Sequence, residues 1–163
     1  IRDGKPVFLR ELFSVRRMVE PETAALAAQN ANPAMLARLQ AALLDMARGN
    51  GAFTEQTTEA DVAFHRLLLA ASGNALLSGL GACIEEALRA SIFVSSHPAF
   101  AVPFALDKHV AVFEAVRDRD PAAARKRMNA LLDLTLESLE RANYGEGMSD
   151  APPAPLGLTV PQL

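Results

Sequence analysis

Apolar side chains return every three or four positions from residue 7 to about residue 143, and nowhere convincingly with a period of two. That period gives a continuous apolar face only when the chain is wound as a helix, so it argues against a sheet. The sequence also carries its own start and stop signals. Asn32-Pro33 and Asp120-Pro121 each set a capping oxygen ahead of a proline, whose missing N–H a first helical turn does not need. Gly49-Asn50-Gly51 and Ser72-Gly73-Asn74 read as stops.

The first predicted helix covers residues 7–31, with Leu9, Leu12, Val19, Thr23, Leu26 and Ala27 on one face. Pro21 lies inside it and predicts a kink or short break near Glu20. The second, 33–48, turns Met35, Leu36, Leu39, Leu43 and Met46 inward; the third, 55–71, turns in Val62, Phe64, Leu67, Leu68 and Ala71. The fourth runs from 75 to about 94 with Leu76, Leu77, Leu80, Ile84 and Leu88 apolar. A loop at 95–103 carries two prolines, and helices over about 104–117 and 121–143 follow. The expected fold is all-α, an antiparallel bundle of about six to seven helices whose short loops make sequential helices neighbours. Residues 1–144 form the helical domain. Pro152, Pro153, Pro155 and Pro161 mark 145–163 as a Pro-rich C-terminal tail, disordered or loosely docked.

Composition narrows the function. The chain has 163 residues, 16 basic and 19 acidic, with a net charge of −3, which argues against a nucleic-acid surface on this segment. Cys83, the single cysteine, excludes an internal disulfide and a cysteine-cluster zinc site, and fits a reducing cytoplasm. It reads as a small core residue rather than a nucleophile. No apolar run reaches the ~18 residues of a bilayer span, and no signal peptide opens the chain, so the expected location is cytoplasmic with no membrane partner. Phosphate loops and hydrolase motifs are absent.

Ionisable groups on apolar faces are the most informative feature, since a buried charge needs a partner or an ion. Asp61 and His65 stack one turn apart on the third helix, in the stripe that continues to Leu68. His109 begins a stripe with Val112, Phe113 and Val116. One carboxylate and two imidazoles aimed at one core suit zinc, nickel, manganese or iron. A plain Asp–His salt bridge and a satisfied core histidine are the alternative. Arg16 interrupts the Leu12–Val19–Thr23 stripe; it either pairs with Glu20 one turn on or grips the carboxylate of a ligand. Arg141 faces the bundle as a second such cation or is solvated. Ser95, Ser96 and His97 either line a pocket mouth or form an ordinary polar loop.

The run Leu12-Phe13-Ser14-Val15-Arg16-Arg17-Met18-Val19-Glu20-Pro21-Glu22-Thr23-Ala24-Ala25-Leu26 resembles the opening helix of the FCD domain. That domain is the ligand-binding C-terminal part of FadR-type GntR transcription regulators. Asp61-Val62-Ala63-Phe64-His65 resembles its Asp-x-x-Phe-His signature, and Ala71-Ser72-Gly73-Asn74 follows at the expected distance. His109 through Val116, and Asp120-Pro121 through Met128, resemble its later segments. The likeness covers about residues 9–141.

The resemblance implies an effector-sensing, non-enzymatic helical domain with no catalytic residues. It implies a homodimer that acts on DNA only through an N-terminal winged helix-turn-helix, which is absent from this chain. The metal ligands implied are Asp61, His65 and His109, with zinc as the expected cofactor and nickel or manganese as substitutes. A further histidine is expected in a Met-x-x-His-Leu pattern, but this chain reads Met128-Asn129-Ala130-Leu131-Leu132, so Leu131 stands in its place. This reduced set resembles the sugar-acid branch of the family, that of galactonate-operon repressors, with Arg16 and Arg141 as effector-binding residues for an organic acid such as galactonate. A metal-dependent enzyme acting on small hydroxy acids, and a metal-free helical dimerisation module, are the competing functions.

Overall fold

A computed structural model describes the backbone of residues 4–52, 54–82, 84, 85, 88, 89 and 105–144, and the side chains of these apart from 4–10 and 138–144. Six helices are bounded within them: α1 (Gly4–Asn30), α2 (Pro33–Arg48), α3 (Glu55–Ala71), α4 (Ala75–Gly79), α5 (Leu106–Arg117) and α6 (Pro121–Tyr144). No strand occurs among the described residues. The described positions between 81 and 89 are also helical. The predicted loop at 95–103, with Ser95, Ser96 and His97, the tail at 145–163, and Cys83 lie outside the described residues.

The caps act as their sequences suggest. Asn32 Oδ1 accepts the Met35 N–H at 2.9 Å, and Asp120 Oδ1 accepts the Ala123 N–H at 2.9 Å. Thr54 and Thr57 form a reciprocal capping box that starts α3. Gly49 ends α2 where a Cβ would stand 2.0 Å from Thr57 Cγ2, so that turn has room only for glycine.

Two local expectations change. α1 runs unbroken through Pro21, which is buried. A mid-helix proline costs roughly 3 kcal/mol, and α1 sustains it because packing holds the helix on both sides. The fourth helix is not continuous: α4 closes at Leu80, and the chain turns helical again at Gly81. Gly79 and Gly81 flank that break, and each disfavours a helix interior by about 1 kcal/mol. The break leaves Leu76 at 83% and Leu80 at 41% exposure, although both are expected inward; Ile84 and Leu88 are buried as expected.

α2 packs on α3 and α5 on α6, as short loops predict, but the principal partner of α1 is α6, at the other end of the described chain. Arg17 pairs with Asp133 at 2.9 Å and Glu22 with Arg125 at 2.6 Å. Positions rise along α1 as they fall along α6, so the two run antiparallel. Arg119, in the left-handed region at φ 60°, extends the seam by donating to the carbonyls of Ala28, Gln29 and Ala31 at the end of α1. Arg66–Glu85 and Arg89–Glu59 set α3 antiparallel to the helical stretch after Gly81 in the same way. The core is shared by Phe13, Ala24, Ala27 and Ala28 of α1, Leu39 and Met46 of α2, Phe64 and Leu68 of α3, Val112 and Val116 of α5, and Met128, Leu131 and Leu132 of α6.

Candidate metal centre and its ion-pair support

Most of α3 is buried, and within it Asp61 and His65 are 5% and 2% exposed; His109 of α5 is 4% exposed. The i,i+4 spacing stacks Asp61 and His65 on one face, and α5 brings His109 to it. One ligand atom from each of the three lies within 4.8 Å of the others. Asp61 Oδ1 is 2.7 Å from His109 Nε2 and 3.5 Å from His65 Nε2. The two imidazoles stand nearly perpendicular, at 87°, and Phe64 meets both edge-on. Phe64 is fully buried, so an apolar wall closes this side of the cluster.

What lies behind each ring matters as much. His109 Nδ1 is 2.8 Å from the Ala105 carbonyl oxygen, which can only accept, so Nδ1 carries a proton. Nε2 of a neutral ring then aims a lone pair toward Asp61 Oδ1, and that approach requires a proton or a cation between them. His65 Nδ1 is 2.7 Å from Glu20 Oε2 of α1. Glu20 in turn is held by Arg16, whose Nε donates to Oε1 at 2.6 Å and whose Nη2 reaches Oε2 at 3.5 Å. Asp61 Oδ1, His65 Nδ1 and His109 Nε2 are all shielded from water. The Nε2 atoms of His65 and His109 and the Oδ1 of Asp61 face one another, a donor set that fits a divalent ion such as zinc and leaves coordination positions open.

Neighbouring charges outweigh burial at three of these groups. Burial pushes the Glu20 carboxyl up, but the charges of Arg16 and then His65 outweigh it and hold it at about 2. Burial likewise opposes ionisation of Asp61, and the contacts with His109 and then His65 outweigh it, so the carboxyl is held well below the usual range. For His65 burial disfavours the cation, but the Glu20 charge and the hydrogen-bonding reach of Asp61 raise it to about 9.

The structure thus brings together Asp61, His65 and His109, and links Arg16 to them through Glu20. For Arg16 it displays the internal pair, which still leaves three of the five guanidinium N–H donors unused by Glu20. Arg141 lies on α6, but its side chain is outside the described ones. Leu131 is buried in the main core. Sequence reasoning weighs Glu20 only as a partner for Arg16 and misses its contact with His65. The available signal is that Arg16, Glu20 and Thr23 fall on one face of α1, so a carboxylate as well as a guanidinium turns inward.

The FCD domain model matches residues 11–134. The chain is 32% identical over 126 residues to the galactonate operon transcriptional repressor of Escherichia coli (strain K12), a match that covers 76% of this chain and 54% of the relative. It therefore spans about half the length of that curated relative. Among solved structures, Streptococcus agalactiae GntR superposes with a TM-score of 0.67 at 25% identity, covering 86% of this chain and 61% of that one. E. coli McbR/YncC superposes with a TM-score of 0.66 at 19% identity, covering 82% and 68% respectively, and shares the fold.

Proposed function

Because the chain belongs to the FCD domain family, we propose that it is the effector-sensing part of a GntR-type transcription regulator, holding a divalent ion and a small organic acid in its core. The observation that carries this reading is the convergence of Asp61, His65 and His109 at one buried point. Neutral imidazoles are needed to ligate, so an ion replaces the proton of His65. Arg16 and a divalent ion then bring three positive charges against two negative ones from Glu20 and Asp61. The positive surplus, to which Arg141 would add, selects an anion. A sugar acid such as galactonate satisfies it with a single carboxylate and offers hydroxyls to the ion's open position. The galactonate repressor among the relatives supports this class of ligand.

Arg16 is the proposed carboxylate clamp and Arg141 a second contact. Zinc is the proposed metal, with nickel or manganese as substitutes, since two nitrogens and one oxygen suit all three. Ligand and ion together favour one arrangement of the bundle, which in the whole cytoplasmic regulator biases the DNA-binding domains of a homodimer.

Calorimetric titration tests the reading. The zinc-loaded protein should bind galactonate or a related sugar acid, and chelation should abolish the binding. Loss of a charged contact in a desolvated site costs about 2 to 5 kcal/mol, so Arg16→Ala should weaken the sugar acid by roughly thirtyfold to several thousandfold. Arg16→Lys should recover little, because a point charge lacks the two-pronged grip. His65→Ala should abolish zinc binding with helicity retained. Equal affinity for the acid in wild type, Arg16→Ala and Arg16→Lys would rule out the clamp, and no zinc uptake by the wild type would rule out the centre.

A further inference from the structure

We infer that Glu20, held by Arg16, is a positioning residue for the metal centre: it sets the ring of His65 from behind and so raises the domain's affinity for its ion. This deepens the metal reading above and rests on it. The two nitrogens of an imidazole lie on opposite flanks of the ring, so a group that occupies Nδ1 directs Nε2 the other way. In His65, Nδ1 is 2.7 Å from Glu20 Oε2, while Nε2 faces Asp61 Oδ1 at 3.5 Å. Glu20 stands outside the group of candidate ligands and next to one of them.

Its carboxylate is positioned in turn. Arg16 and Glu20 are each 3% exposed, one helical turn apart, and the guanidinium meets both carboxylate oxygens. A buried carboxylate spanned this way has little freedom to turn from the ring. His109 has the equivalent support from the Ala105 carbonyl at its own Nδ1. The two histidines are thus backed differently, one by a neutral carbonyl and the other by a full negative charge delivered from α1. A carboxylate behind an imidazole makes the ring a stronger donor to the ion, and loss of such support weakens metal binding about 10- to 100-fold.

α1 supplies no ligand to the ion in this arrangement, yet its Arg16–Glu20 pair touches a ligand directly. An anion that competes for Arg16 therefore also acts on the carboxylate behind His65. Ion and organic acid are coupled through these two side chains.

The test is zinc and cobalt(II) titration of purified wild type, Glu20→Gln, Glu20→Asp and the double variant Arg16→Gln/Glu20→Gln, with far-UV circular dichroism and thermal unfolding in chelator as the fold check. Wild type should bind zinc, and Glu20→Gln should bind it about 10- to 100-fold more weakly, with a shifted cobalt d–d spectrum and unchanged helicity. Glu20→Asp, which keeps the charge, should recover part of the affinity. If Glu20→Gln alone is unfolded by its unpaired arginine, the double variant leaves no lone buried charge and should show the same loss of affinity. A purely structural pair would lower the chelator melting temperature of these variants and leave zinc affinity and the cobalt spectrum as in wild type, which would overturn the inference. No zinc uptake by wild type would overturn the metal reading itself.

Discussion

His65 lies between two carboxylates, and its protonation has a definite sign for stability. Its folded value of about 9 lies above the ordinary 6.5, so its contribution is complete below pH 6.5 and is lost as pH rises through 9. Glu20 is the opposite case: held at about 2 against an ordinary 4.5, it contributes above pH 4.5 and the contribution is lost as pH falls toward 2. For these two groups the metal-free domain should be most stable between pH 4.5 and 6.5, which thermal melts in chelator would check. Zinc must displace the His65 proton, so the rise in melting temperature on adding zinc should grow from pH 6 to pH 8. A rise independent of pH would mean that His65 is not a ligand. Leu131 belongs to the same scale. It is 3% exposed in the core and stands where the resemblance places a further histidine, the fourth ligand, so Leu131→His should tighten zinc binding by calorimetry. Unchanged affinity would place that face of α6 away from the ion. At this scale the three candidate ligands are legible in the sequence because each interrupts an apolar stripe. The Glu20–His65 contact is not, because it joins residues of two different helices and no spacing rule reports it.

Among the elements, the best predicted boundaries are those set by local chemistry. Asn32 and Asp120 cap their helices through hydrogen bonds that need only residues three positions away. The break at Leu80 is harder to read: the apolar period continues through it, and the glycines on either side weaken the helix without dictating where it closes. The unbroken course of α1 through Pro21 is the reverse case, in which tertiary packing outweighs a local breaker. Gly49 offers a direct test of how tightly two elements meet. Thr57 is fixed by its bonds to Thr54 and to the Ala52 carbonyl, so its methyl cannot retreat from a new Cβ. Gly49→Ala should destabilise the domain by about 1–3 kcal/mol, measured as a lower urea midpoint with the slope unchanged. A midpoint equal to wild type would show that the α2–α3 turn shifts freely.

For the molecule as a whole, the seam between α1 and α6 has a consequence for how the domain reaches its native state. The Glu22–Arg125 pair joins residues 103 positions apart, and Arg119 reaches 88 to 91 positions back to the end of α1. A helical protein usually folds quickly because its contacts are local. Here the first helix emerges from the ribosome long before its main partner exists, and it can meet α3 and α5 before α6. Closing a loop of that length carries an entropic cost, which the contacts of α1 with α3 and α5 lower only in part. Refolding should therefore be slower than the helical content suggests, and most of the chain must be synthesised before α1 meets α6.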